Sequence, residues 1–106
     1  MNTRNLNLNV YRTELVVRAG DLKKTVSVAL DAVRRERSLR LLRQVEYALW
    51  RLARGRYGEC VKCDGHVERH VLDMAPWAIF CNDCQRTVDL LQAEAENRRS
   101  ALQSAA

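Results

Sequence analysis

Four cysteines are the residues best placed to do chemistry in this 106-residue chain. Cys60-x-x-Cys63 and Cys81-x-x-Cys84 are two short knuckles separated by 17 residues. Two residues between a pair of cysteines let both thiolates turn toward one ion while the intervening amides point inward. A second such knuckle completes a tetrahedron, which is the pattern of a four-cysteine zinc site. With sulfur in every position no place is left for water, so one Zn2+ held this way is structural and not hydrolytic. Other readings of the four thiols stay open. A redox Cys-x-x-Cys asks for a strand before it and a helix after it, whereas Cys60 follows Gly58 and Cys63 precedes Asp64-Gly65. Structural disulfides or an iron–sulfur cluster can also be built from four cysteines. His66 and His70 lie between the knuckles, but neither is needed as a ligand. Pro76, Trp77, Ile79 and Phe80 precede the second knuckle and are expected to pack a small core around the metal.

The rest of the chain must position those sulfurs. At 12.2 kDa a single core is thin, and a metal is one of the usual staples. One Pro and four Gly are too few turn residues for a sandwich of short strands. The apolar run over residues 74–81 is far shorter than the ~20 residues of a membrane span, and residues 1–5 do not open a secretion signal. A cytoplasmic protein without a membrane partner is expected. No nucleophile–base pair, phosphate-cradling glycine loop or convergent carboxylate pair is present, so the chain reads as a non-enzyme.

The periodicity is helical. Tyr11, Leu15 and Ala19 recur at i, i+4, i+8 and suggest a short first helix. Gly20 followed by Asp21, a good N-cap, suggests a turn near residues 19–21 and a second helix from Leu22 to Arg54, the alternative being a kink at Gly20 within one helix. Leu22, Val26, Ala29 and Val33, then Leu42, Val45, Leu49 and Leu52, would be its packing seam. Arg54-Gly55-Arg56-Tyr57-Gly58 reads as a helix stop. Asn82 or Asp83 can open a last helix carrying Val88, Leu91, Ala95 and Leu102 along one stripe. The expected fold is mainly α: a helical hairpin or coiled coil over residues 1–54 and a four-cysteine zinc-finger globule over 55–86. A C-terminal helix over 87–106 with a frayed end completes it.

Charge is uneven. Residues 1–54 carry 12 Lys/Arg against 5 Asp/Glu, whereas residues 55–106 carry 6 against 8, within a net charge of +5. The basic half points to an acidic partner, either nucleic acid or protein. Arg34, Arg35, Arg37, Arg40 and Arg43 are the candidate contacts.

The stretch over residues 48–63, ending Gly55-Arg56-Tyr57-Gly58-Glu59-Cys60-Val61-Lys62-Cys63, resembles the DksA/TraR family. So do Leu72, Ala75-Pro76 and Cys81-Asn82-Asp83-Cys84-Gln85, and the likeness covers about residues 34–86. It implies a zinc-containing bacterial regulator of transcription initiation that binds RNA polymerase, without reading promoter DNA. The hairpin would enter the secondary channel of the polymerase while the globule and last helix rest on its rim. Longer members carry an Asp-x-x-Asp-x-Ala element at the hairpin tip. Counting back from Cys60 puts Val17 and Gly20 at those aspartates, with Asp21 as the nearby carboxylate. Family positions that help bind guanosine tetraphosphate read Gln44, Ala75 and Gln85, with Arg37 keeping a positive charge, so cooperation with that nucleotide is expected to be weak. A monomer is expected. The alternatives are a nucleic-acid binder using the arginine-rich helix, or a protein–protein adaptor that has lost the polymerase function.

Overall fold

The computed structural model describes residues 5–104. Residues 1–4 of the N-terminal stretch and residues 105 and 106 of the expected frayed end lie outside them. Four helices follow one another: α1 (Leu8–Val28), α2 (Ala32–Ala53), α3 (Arg69–Met74) and α4 (Asn82–Ser104). Among the described residues there is no strand, only an isolated antiparallel bridge between Glu59 and His66.

α1 and α2 form an antiparallel hairpin, the only pair of described helices packed extensively together. Its turn is at residues 29–31, not 19–21. α1 runs straight through Gly20, and the seam it buries is Tyr11, Leu15, Ala19 and Leu22. That 4-4-3 spacing stays on one face across the glycine. Gly20 itself points to open space, so it costs only the ~1 kcal/mol that glycine costs in a helix interior. Asp21 therefore caps nothing. The N-cap of α2 is Asp31, whose Oδ1 accepts from Val33 N at 2.9 Å, and Ala29 is extended. The continuous helix expected over residues 22–54 is thus two helices. Its expected first seam is correct at the buried Leu22 and Ala29 but fails at the exposed Val33. The second seam is closer: Leu42, Val45 and Leu52 are buried, together with Ala48 and Arg51, and Leu49 is half-buried.

α2 ends as expected. Gly55 has φ +73°, Gly55 N donates to Leu52 O, and Arg56 N donates to Arg51 O at 2.9 Å. These are the two hydrogen bonds of a Schellman cap. The loop is then held from inside by Arg51, which is buried and donates from Nη2 to Glu59 O at 2.9 Å and Arg56 O at 3.2 Å.

One apolar cluster joins the hairpin base to the cysteine globule: Leu15, Val45 and Leu52 from the hairpin meet Tyr57, Cys60, Val67 and Leu72. Trp77 and Phe80, expected around the metal, pack against this shared cluster. The Tyr11 and Tyr57 rings lie 5.4 Å apart. Tyr57 Oη donates to Pro76 O at 2.8 Å, a buried bond. Tyr11 Oη donates to Asp73 Oδ1 at 2.5 Å; burial and then this carboxylate push the phenol above its ordinary range. Tyr11→Phe is expected to lower stability by about 1 kcal/mol, near the value for a neutral pair because Asp73 is itself exposed. A shifted denaturation midpoint at unchanged slope checks it.

The distal hairpin and α4 project from this junction. The radius of gyration is 16.2 Å, against about 13 Å for a compact domain of this length. The longest dimension is 53 Å. α4 begins at Asn82, inside the segment assigned to the cysteine module, so the boundary expected at 86/87 falls within a helix.

Candidate metal centre

The two knuckles meet where the loop after α2 faces the N-terminus of α4. The first is closed by Cys60 N donating to Gly65 O (2.8 Å), Asp64 N to Cys60 O (3.0 Å) and Val67 N to Gly58 O (2.8 Å). Val61 N donates to Ile79 O at 2.9 Å, tying this loop to the segment that leads into the second knuckle. Two backbone conformations there are unusual, with Gly58 at φ +84° and Asp64 at φ +61°, where glycine and Asp are tolerated. Gly65 sits close to a cysteine sulfur. A Cβ on it would lie 3.3 Å from Cys63 Sγ, and its N–H points at that sulfur.

Cys81 precedes α4 and Cys84 lies in its first turn, where Cys84 N faces Cys81 Sγ at 3.5 Å. The helix start is held by Glu68, whose carboxylate accepts from Asn82 N at 3.0 Å. Sequence reasoning missed Glu68 and Arg51. Both act across a loop on backbone groups, and neither has a local spacing that marks it.

All four sulfurs lie within 4.8 Å of one another, and Cys63 Sγ is 3.9 Å from Cys81 Sγ. A tetrahedron with ~2.3 Å metal–sulfur bonds has edges of about 3.8 Å, whereas a disulfide requires about 2.05 Å. The cysteines are free thiols, with Cys60 buried and Cys63 exposed. Burial pushes the Cys60 thiol up, but the backbone N–H groups of Cys81, Cys63 and Lys62 outweigh it and hold it at about 6. The Cys84 thiol is pushed up to about 12, first by the Cys81 side chain. Sulfurs this close resist ionising together, so thiolates at all four positions call for a cation between them. The donor set fits a closed, tetrahedral metal site, and protons compete for it as pH falls. Neither histidine belongs to the described cluster.

The other sequence candidates are scattered. Asp21 is not at the tip. It lies mid-helix on exposed α1, roughly 10 Å of helix before the turn, in a cleft it shares with Arg18, Asp73 and Trp77. Val17 is likewise far from the tip. The tip consists of Ala29, the fully exposed Leu30 and the capping Asp31. Arg35 is bound there, donating from Nη2 to Ala29 O at 2.6 Å. Arg34, Arg37, Arg40 and Arg43 are exposed along α2. Gln44, Ala75 and Gln85, far apart in sequence, do come together: they line one groove of about 580 Å³ with Tyr47, Trp77 and Phe80.

No family model matches the chain. A stretch of 48 residues is 33% identical to an uncharacterized protein of Aquifex aeolicus (strain VF5), which is 45% of this chain. The match spans about a third, 33%, of that protein's length. Solved structures resemble far more of it. The RNA polymerase binding protein and transcriptional regulator Dks from Chlamydia trachomatis L2 (LGV434) superposes with a TM-score of 0.66 at 20% identity. That likeness covers 83% of this chain and 93% of the other. Transcription factor DksA2 from Pseudomonas aeruginosa gives 0.63 at 22% identity, over 81% and 85%. A helical hairpin, a four-cysteine globule and a projecting last helix make this chain's fold that of the DksA proteins.

Proposed function

We propose that the chain is a DksA/TraR-like regulator that binds RNA polymerase and modulates transcription initiation, with one structural Zn2+ in its four-cysteine site. The observation that carries this reading is a shared fold over more than four-fifths of the chain with two such proteins, one of them described as binding RNA polymerase. It works in the cytoplasm, as a monomer and not as an enzyme, and contacts the polymerase without recognising promoter sequence. The α1–α2 hairpin enters the secondary channel; the globule and α4 rest against its rim. Zinc is the metal best matched to four thiolates at tetrahedral spacing with no open position. Its contribution is to hold the loop after α2 to the start of α4.

The tip differs from the acidic element of longer family members. Asp31 is its carboxylate, and that side chain is committed to the Val33 amide. Gln44, Ala75 and Gln85 leave the groove between α2 and the globule with Arg43 as its cation, so guanosine tetraphosphate is expected to add little. The test is a photo-crosslinking residue in place of Leu30, in zinc-loaded protein mixed with core polymerase. Crosslinks to the channel interior support the reading. Binding without them leaves the adaptor, and no binding sinks the proposal.

A further inference from the structure

The face of α2 opposite its buried seam carries exposed aromatics set among arginines, two of which, Arg43 and Tyr47, also line the groove against the globule. Arg40, Arg43, Tyr47, Trp50 and Arg54 follow one another at 3-4-3-4 spacing, which aligns them in one stripe opposite the buried seam of Leu42, Val45, Ala48 and Leu52. All five are exposed. Tyr47 and Trp50 are large aromatics left 40% and 50% accessible, and their rings are nearly parallel, with centroids 5.9 Å apart and 13° between planes. The Arg54 guanidinium lies over Trp50 at 4.5 Å, and Arg51 lies over Tyr47 at 5.8 Å. Arg40 and Arg43 make no ion pair among the described residues. Glu36, one turn before Arg40, and Glu46, beside the stripe, make none either.

We infer that this stripe binds single-stranded nucleic acid, bases stacking on Trp50 and Tyr47 while Arg40, Arg43 and Arg54 take the phosphates. Exposed aromatics between cations form the surface that single strands use, because every base has a π-face and the backbone is uniformly anionic. An acidic protein would satisfy the arginines but would leave two aligned rings without a role. A duplex would satisfy the arginines and keep its bases stacked away from the rings. The stripe from Arg40 to Arg54 is about 21 Å long, enough for several nucleotides. A base that displaces the Arg54 guanidinium from Trp50 frees that cation for the adjoining phosphate, so stacking and charge pairing act together.

The test uses the full zinc-loaded chain and a fluorescein-labelled oligouridylate, followed by anisotropy at several salt concentrations, and needs no polymerase. Trp50→Ala is expected to weaken binding about tenfold or more, and Trp50→Phe to restore most of it. The double variant Arg40→Ala, Arg43→Ala should reduce the slope of log affinity against log salt by about 0.7 per arginine. A far-UV spectrum checks that α2 persists in each variant. The inference is overturned by any of four results: unchanged binding by Trp50→Ala, equal binding of a duplex of the same length, no binding at about 50 mM salt, or polyglutamate binding with the same dependence on Trp50.

Discussion

Cys63→Ser is expected to release the metal and melt residues 55–86 while leaving much of the α1–α2 hairpin helical. Cys63 is the most exposed of the four cysteines, so the serine meets no crowding and the effect is that of losing one thiolate. The binding energy of a structural zinc is folding energy, on the order of 10–16 kcal/mol in small zinc peptides at neutral pH. That matches or exceeds the ~5–15 kcal/mol stability of a whole small domain. Regular secondary structure contributes little to this segment. Between α2 and α4 the described regular structure is one six-residue helix and one isolated bridge. The buried residues Tyr57, Val67 and Leu72 contribute to a cluster whose other half is the hairpin. The hairpin has its own seam in Leu22, Leu42 and Val45, farther from the sulfurs along the chain. The near-UV signal of Tyr57 and Trp77 should therefore collapse, with one zinc lost per chain, while far-UV helicity falls only in part. An intact near-UV spectrum in a zinc-free variant refutes this. Acidification should reproduce the change, because the bound site requires thiolates and protons compete for each sulfur.

The four-cysteine cluster was legible because its information is local. A two-residue spacing fixes where both sulfurs of a knuckle point, and the Gly-x-Tyr-Gly run before Cys60 fixes the turn that presents them. The stop at Gly55 and the start of α4 at Asn82 were equally readable from single residues with strong backbone preferences. The hairpin turn was not. Two aspartates, Asp21 and Asp31, offer the same cap signal ten residues apart, and Gly20 makes the first look stronger. What decides between them is tertiary: α1 must run on through Gly20 so that Leu15, Ala19 and Leu22 all reach α2. A turn built from Ala29, Leu30 and Asp31 carries neither Gly nor Pro to announce it. Because the turn was misplaced, the tip was too, and Asp21, expected at the tip, lies on mid-α1 instead. The Trp50–Tyr47 stripe escaped notice since the apolar seam dominates the helix pattern and exposed aromatics carry no periodic signal against it. Arg51 was invisible for the opposite reason: its charge placed it on the surface, yet its guanidinium satisfies two carbonyls of the cysteine loop.

The position of the turn makes a pair of leucines diagnostic. Leu15 is fully buried at 0% exposure, whereas Leu30 is 99% exposed. Leu15 sits between Tyr11 and Ala19 on the seam, where α1 meets α2 and the globule in one cluster. Leu15→Ala removes apolar atoms from that shared junction. The small side chains of Ala19 and Ala48 nearby cannot swing in to fill the space. The expected loss is about 2–5 kcal/mol, the transfer energy of the deleted group plus the cavity left behind. In a protein this small that is a large share of total stability. Leu30→Ala deletes the same atoms from water-exposed surface, and its effect should stay within about 0.5 kcal/mol. Both are read from urea denaturation midpoints with zinc saturating, so that metal loss does not enter the comparison. Comparable losses at the two positions would refute the placement of Leu15 on the buried seam and of Leu30 at the open end of the hairpin, and with it the set of residues that the hairpin carries to its far end.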